Sequence, residues 1–320
     1  MRVFVTRNLP DSALAPLRAN AEVDVWEGEN PPPYEVLKQR TAGCDGLLCL
    51  LTDRIDGELL AAAPQLRVVS QMAVGVDNID LAACRLRNIP VGHTPGVLTE
   101  TVADLAFALI LASARRLVEA DRFLRDGAWT TWSPMLLAGP DVHHATLGII
   151  GMGRIGFETA RRGAGFRMRI AYTARHVHTE AERELGAVRM DLPDLLATSD
   201  FASLHVPLTP ETRYLMNQET LAQMKPTAIL INTARGGVVD TDALVRALRA
   251  GTIAGAGLDV FEEEPLALGH PLMQMRNVTL LPHIGSASVA TRTRMAVMAA
   301  ENLLAGLRGA PLAHAVPAGG

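Results

Sequence analysis

Cysteine is scarce: the 320 residues include only Cys44, Cys49 and Cys84. Their irregular spacing supports neither a disulfide framework nor a thiolate metal site, so they read as small core residues in a reducing compartment. Long single-sign charge runs are also missing, and the formal net charge is only -4. That balance offers no electrostatic footprint for nucleic acid or an anionic membrane. The longest apolar run, residues 105–112, falls far short of the roughly 20 residues that a bilayer-spanning helix needs. At the start, MRVFVTRNLP breaks its short apolar run at Arg7, so neither export nor insertion is expected and a cytoplasmic location is.

What the chain does have is apolar bulk, 48% of its residues, and enough length to suggest two domains sharing a cleft. The first hundred residues alternate short buried-strand candidates (VFV at 3–5, GLLCLL at 46–51, RVVSQ at 67–71) with helical spacing such as SALAPLRA. Two helices follow, one over about 100–117 and one from 118 to near Gly127. A second series over 146–281 contains the strand candidates TLGII, MRIAY, FASLHV, AILINT, GAGLDV and VTLLP. Such βα alternation predicts an α/β fold with parallel sheets covered by helices and ligands near the carboxyl ends of the strands. Between the two series, DGAWTTWSPMLLAGPDVHHA has no clean period. Its tryptophans suggest a surface arm over 118–145 that packs on a second subunit. A last helix over about 288–307 should end at Gly309, and the final PAGG should fray.

TLGIIGMGRIG joins a strand to a helix through Gly151, Gly153 and Gly156, the spacing for a tight turn and close approach to a pyrophosphate at a helix N-terminus. Dinucleotide binding is expected there. NAD sites place an acidic residue about 20 positions further on, against the ribose 2′-hydroxyl. Here that window holds Tyr172, Thr173, Ala174 and Arg175. With no carboxylate to repel a 2′-phosphate and a planar guanidinium to receive it, NADP(H) is preferred and NAD(H) remains open, with Arg154 a second phosphate contact.

Three later motifs each follow a strand: NTARGGVVD around Arg235, GLDVFEEEP ending with Glu264 in its acidic run, and LLPHIGSAS around His283. A 2-keto-acid reductase needs a cation to hold the carboxylate and polarise the carbonyl, a proton donor, and a group that keeps the donor charged. Arg235, His283 and Glu264 meet those needs in turn. Each alone has an ordinary structural explanation, as a phosphate or surface contact, a hydrogen-bonded core histidine or a solvated glutamate.

Taken together, GMGRIG, PLTPET, NTARGGVVD, GLDVFEEEP and LPHIGSA stand in one order, with 29 positions from Arg235 to Glu264 and 19 from there to His283. In this the chain resembles the D-isomer-specific 2-hydroxyacid dehydrogenase family over nearly its whole length. FVTRNLP, GLLCLLTDRID, TPGVLTETVADLA, WTTWSPM and ENLLAGLRG bring it nearest to glyoxylate/hydroxypyruvate reductases. The resemblance implies two doubly wound parallel-sheet domains. A flavodoxin-like substrate domain is formed by 1–98 and 287–320, and a Rossmann cofactor domain, 99–286, is inserted into it.

The resemblance also implies roles for residues that spacing alone does not single out. Backbone amides of Val74 and Gly75 hold the substrate carboxylate beside Arg235, and Leu51 and Ser286 line the pocket. Trp132 reaches from the arm into a partner's active site. Asp259 holds the nicotinamide carboxamide, while Thr101, Ile155, Thr173, His205, Pro207, Thr212, Thr233 and Gly285, with Arg235 and His283, surround the dinucleotide. The implied reaction is hydride transfer to glyoxylate or hydroxypyruvate with His283 as proton donor, in a homodimer.

Other features carry less. His143 with His144, and His176 with His178, lack carboxylates or thiols at ligand spacing, so no metal is expected. Arg161, Arg162, Arg167 and Arg169 are expected to be solvated rather than to bind nucleic acid. A formate dehydrogenase should carry Gln at position 264. The alternatives left open are a reductase of another 2-keto acid such as 2-ketogluconate and, in a different class, a dinucleotide-sensing corepressor that acts through protein partners.

Overall fold

The structure is a computed structural model and describes residues 1–317. Of the PAGG expected to fray, residues 318–320 lie outside the described residues. The chain divides into two compact units, Met1–Leu98 with Ala287–Gly320, and Thr99–Ser286.

In the first unit the strands are β1 (Arg2–Val5), β2 (Glu22–Val25), β3 (Gly46–Cys49), β4 (Val68–Gln71) and β5 (Val91–Gly92). Between them run α1 (Asp11–Arg18), α2 (Tyr34–Thr41), α3 (Gly57–Ala62) and α4 (Leu81–Leu86). All pairings are parallel and the order is β2-β1-β3-β4-β5, the flavodoxin-like arrangement. Helices cover both faces, so β3 and β4 are buried throughout; β3 reads as a continuous apolar run, while β4 ends on Ser70 and Gln71, whose buried side chains are hydrogen-bonded. β2 sits at the sheet edge, half covered, which is why its EVDV sequence carries no strong signal. The run GLLCLL stops being a strand at Cys49. The Asp53 carboxylate takes the Leu50 amide (2.7 Å), and Asp53 N–H donates to Leu50 O (3.0 Å), which turns the chain.

This unit is closed by the C-terminal helix, Val289–Leu307, whose Ser288 N-cap accepts from Thr291 N–H (3.1 Å). Its Met295, Met298, Leu303 and Leu307 are buried, each contributing about 1.5–3 kcal/mol of apolar burial. The helix lies so close to β4 that a Cβ at Gly306 would sit 2.5 Å from Val68 Cγ2, and Ser70 Oγ donates to Ala299 O (2.7 Å). Gly309, at φ +71, terminates it.

The second unit opens with α5 (Thr99–Ala114) and α6 (Leu117–Arg125), separated by Arg116 at φ 51. Then come β6 (Thr146–Ile150), α7 (Arg154–Gly165), β7 (Arg169–Thr173), α8 (Thr179–Leu185), β8 (Val188–Arg189), α9 (Leu192–Thr198) and β9 (Phe201–Leu204). The series ends with α10 (Gln218–Leu221), β10 (Ile229–Asn232), α11 (Thr241–Ala250), β11 (Gly255–Leu258) and β12 (Val278–Leu280). The sheet is parallel in the order β12-β11-β10-β9-β6-β7-β8. Strand order reverses beside β6, and such a switch point leaves a ligand crevice at the carboxyl ends. Arg162 on α7 pairs with Glu100, Asp104 and Glu158, tying α7 to α5 rather than forming a basic patch.

The predicted arm has an ordered start in α6, which buries none of its residues within the chain. Beyond it Trp129, Trp132 and Met135 are 55%, 75% and 77% exposed. Among the described residues, no helix is long and apolar enough to cross a membrane, and no three His, Cys, Asp or Glu side chains group as a metal site.

Candidate active site

The glycine turn follows β6 at the switch point. Gly151 sits at φ +99, and a Cβ there would lie 2.8 Å from the His205 carbonyl carbon, so only glycine fits between the β6 and β9 exits. A Cβ on Gly156 would run into Gly151 O, which holds α7 against the turn. Gly153 is different: a Cβ there meets nothing within 4 Å. Gly153 is the N-cap of this twelve-residue helix and supplies no side-chain cap, so the first amides of α7 are not taken up by a capping side chain. That cradle suits a diphosphate. Thr233, at the end of β10, keeps a buried hydroxyl with no hydrogen-bond partner, a second sign of a place made for a ligand.

Thr173 ends β7, and Arg175 lies exposed just beyond it. Two neighbours of Arg175 were not visible in the sequence window. Arg189, from β8, donates to Ala174 O (3.0 Å) and Arg175 O (3.4 Å) and shapes the turn. Glu211, from the loop after β9, is held below the usual carboxylate range by a hydrogen bond from Thr209 and, more weakly, by the charge of Arg175. That loop is braced by Thr212, whose hydroxyl accepts from Thr209 N–H (2.8 Å) and donates to Pro207 O (2.6 Å). His205 lies 2.9 Å from Ser203 Oγ, and desolvation pushes its imidazole down to about 3, so it stays neutral.

The catalytic candidates come from β10, β11 and β12, adjacent parallel strands, so their following loops leave the same sheet edge. After β10, the buried Asn232 folds the chain back. Its amide donates to Arg235 O (2.9 Å) and accepts from Ala234 N–H (3.0 Å), which fixes the backbone of Arg235. Gly236 then packs directly on the backbone of Phe261 and Glu262, an approach a side chain would block. That contact sets the Arg235 loop beside the loop carrying Glu264. Glu264 Oε1 accepts from Phe261 N–H (3.0 Å), and Oε2 lies 2.7 Å from His283 Nδ1. An ionised carboxylate can only accept, so Nδ1 carries the proton and Nε2 faces away from Glu264. Burial pushes the Glu264 carboxyl up. The bonds from His283 and Phe261 and the charges of His283 and Arg235 outweigh it, leaving the group below its usual range and ionised.

His283 itself sits at φ 54, a left-handed conformation that is uncommon outside glycine. Asp259 explains how it is held. Asp259 O accepts from His283 N–H (2.9 Å), Oδ1 from Ile284 N–H (2.8 Å) and Oδ2 from Gly285 N–H (2.7 Å). Asp259 therefore organises the His283 loop through three consecutive amides, one at its carbonyl and two at its buried carboxylate, which desolvation raises. Ser286 follows at the end of this unit and is partly exposed, as is Thr101 on α5.

In the other unit, Val74 and Gly75 lie partly exposed in the turn after β4, and Leu51 is 38% exposed in the turn after β3. Asn78 joins these two turns, donating to Leu50 O (3.1 Å) and Asp53 O (2.7 Å) while its Oδ1 accepts from Gln71 (2.6 Å).

Residues 107–285 match the family described as D-isomer specific 2-hydroxyacid dehydrogenase, NAD binding domain. A glyoxylate reductase of Korarchaeum cryptofilum is 54% identical over 96% of this chain and 93% of its own length. The chain belongs to the D-isomer specific 2-hydroxyacid dehydrogenases. A glyoxylate reductase of Aeropyrum pernix is likewise 54% identical over 96% of this chain and 93% of its own. Among solved structures, a Thermus thermophilus protein superposes with a TM-score of 0.93 at 50% identity, covering 99% of this chain and 100% of that one. An NADPH-dependent glyoxylate/hydroxypyruvate reductase from Sinorhizobium meliloti, in complex with NADP and malonate, gives 0.85 at 34% identity, covering 98% and 96%. Membership makes the chain an oxidoreductase that reduces 2-keto acids and takes a nicotinamide dinucleotide.

Proposed function

We propose that this dehydrogenase reduces glyoxylate and hydroxypyruvate to their 2-hydroxy acids, with NADPH as the preferred reductant. The observation that carries the mechanism is the 2.7 Å bond between Glu264 Oε2 and His283 Nδ1. With Nδ1 committed to Glu264, Nε2 is the atom that delivers a proton to the keto oxygen, and the Glu264 charge stabilises the protonated ring. Arg235 binds the carboxylate and polarises the carbonyl, and the amides of Val74 and Gly75 hold the carboxylate. Bound at the α7 amides, a dihydronicotinamide dinucleotide supplies the hydride. Asp259 holds the loop of His283 and, as the resemblance implies, binds the nicotinamide carboxamide.

Arg175, with Arg154, receives the 2′-phosphate. The Korarchaeum and Aeropyrum relatives support glyoxylate as substrate, and the Sinorhizobium complex supports NADP. The exposed apolar arm, α6 with Trp129, Trp132 and Met135, supports a homodimer in which Trp132 borders the partner's substrate site.

The test is oxidation of NADPH and of NADH with glyoxylate, hydroxypyruvate, 2-ketogluconate and pyruvate in turn. The expected result is the highest kcat/KM for glyoxylate or hydroxypyruvate with NADPH. Slow turnover of all four together with tight dinucleotide binding would instead mark a sensor acting through protein partners.

A further inference from the structure

The turn after β4 does not stand alone: each of its peptide planes is anchored from outside it. A peptide unit is planar, so the carbonyl of one residue and the N–H of the next turn together. Ala73 O, which shares a plane with Val74 N–H, accepts from Thr94 N–H (2.9 Å). Val74 O, which shares a plane with Gly75 N–H, lies 3.0 Å from His93 Nδ1. Gly75 O accepts more weakly from Gln71 Nε2 (3.4 Å). Because a carbonyl can only accept, His93 Nδ1 carries a proton and donates it. Of the anchors on the Val74 and Gly75 amides, the His93 ring is the one made by a side chain and therefore the one a substitution can remove cleanly.

His93 is itself held rigidly. Its N–H donates to His314 O (2.9 Å), and its carbonyl accepts from Asn302 Nδ2 (2.9 Å) on the C-terminal helix. Asn302 is fully buried, accepts from His314 N–H (3.1 Å), and lies so near β5 that a Cβ on Gly92 would come 2.8 Å from its own Cβ. The ring is thus placed by a fixed backbone rather than by a mobile surface loop.

We propose that His93 is a positioning residue for 2-keto acid binding, its Nδ1–H holding the Val74 carbonyl so that the Gly75 amide points at the substrate carboxylate. This rests on the reading of Val74 and Gly75 as the carboxylate-binding amides. Donation to the carbonyl end of a peptide also polarises its N–H, so orientation and donor strength act in the same direction. The carboxylate is unchanged during hydride transfer, so the contact strengthens substrate and transition state alike. Its loss raises KM and leaves kcat in place.

The experiment compares His93→Leu and His93→Asn in the full chain, measuring kcat and KM for glyoxylate at saturating NADPH, Ki for oxalate, the Kd of NADPH, and Tm. For His93→Leu the expected result is a KM and an oxalate Ki that rise together by roughly three- to tenfold, with kcat and the NADPH Kd within about twofold of wild type. Asn carries an amide that can reach the same carbonyl, so His93→Asn should recover most of the loss. A purely structural role would lower Tm and the active fraction and would not separate KM from kcat.

An unchanged KM in folded His93→Leu overturns the assignment, and so does a folded His93→Asn that behaves like His93→Leu. If His93→Leu does not fold, His93→Phe, which keeps a ring of similar size without a donor, takes its place and must show the same rise in KM alone. Wild-type protein that reduces none of the four keto acids overturns the proposed function itself. Wild-type turnover with an unmoved KM in the variants removes only His93.

Discussion

Alanine at Gly151 and alanine at Gly153 should fail in different ways, although the two glycines lie two residues apart in the same motif. Gly151 has φ +99, where an L side chain carries about 1–3 kcal/mol of backbone strain. Its new methyl would stand 2.8 Å from the His205 carbonyl carbon and 2.8 Å from Val206 Cγ1. The carbonyl belongs to the chain leaving β9 and cannot swing aside, so overpacking adds about 1–3 kcal/mol. Against a total stability of about 5–15 kcal/mol, and at about 2–4 °C per kcal/mol for a unit of this size, Gly151→Ala should lower Tm by roughly 5–20 °C. Gly153 has ordinary φ of -88 and open space around it. Replacing glycine by alanine at an N-cap costs only about 0.5–1 kcal/mol, a few degrees at most. Its methyl, however, would stand at the N-cap of α7, where the proposed diphosphate site lies. Losing one or two charge-assisted bonds to a phosphate, at about 1.5–3 kcal/mol each, weakens coenzyme at least tenfold. Thermal melts of the free protein and a fluorescence titration with NADPH separate the two effects. A Gly151→Ala protein that melts within 2 °C of wild type, at about the error of such a melt, would falsify the strain argument. Wild-type NADPH affinity in Gly153→Ala would show that the open space is not the diphosphate site.

His283→Gln should lower kcat by about 10²–10⁴-fold while the Kd of NADPH stays close to wild type; near-normal turnover removes His283 as proton donor. Glu264 titrates below its usual range in the folded chain, so it contributes stability that is fully present above its unfolded value near 4.5 and lost as pH falls through the lower folded value. The difference in unfolding free energy between wild type and Glu264→Gln should therefore shrink on acidification through that window, and a difference constant from pH 7 to pH 3 contradicts the ion pair. For the arm, Trp129→Asp with Met135→Asp should shift the mass measured by light scattering from dimer to monomer. A wild type that is already monomeric removes the homodimer and the role of Trp132 with it.

What could be read in the sequence was whatever repeats a local rule. β3, β6, β9, β10 and β11 are buried throughout, so each shows as a largely apolar run. β2, β5 and β8 are edge-placed or two residues long and leave no such trace. Gly151, Gly156, Arg235, Glu264 and His283 were legible because each meets a stereochemical or chemical demand near a strand end. The residues that hold them in place were not. Asp259 acts on amides 25 and 26 positions away, and Asn302 fixes a histidine 209 positions away. Hydrogen bonds to main chain place few demands on the partner's identity, so spacing does not betray them. Asn232 is the exception, since an Asn closing a strand before Ala-Arg-Gly-Gly is a local turn signal.

The same limit bears on the coenzyme. Read along the chain, the window after β7 holds Arg175 and no carboxylate, which argues for NADPH without opposition. The fold brings Glu211 within electrostatic range of Arg175, and a carboxylate there repels a 2′-phosphate. It also brings Arg189, whose guanidinium donates to the backbone of Ala174 and Arg175. The Arg175 guanidinium acts on the Glu211 carboxylate, so the proposed preference for NADPH should be smaller than the window after β7 implies. Both groups are exposed, so each effect is small and weakens with salt. Arg175→Ala should then reduce the NADPH over NADH ratio of kcat/KM, and Glu211→Gln should raise it by a similar factor at low ionic strength. The two ratios are measured on the same substrate and buffer. If Glu211→Gln leaves the ratio where it was while Arg175→Ala lowers it, Arg175 reads the phosphate without competition; if neither variant moves it, the discriminating group lies outside this turn.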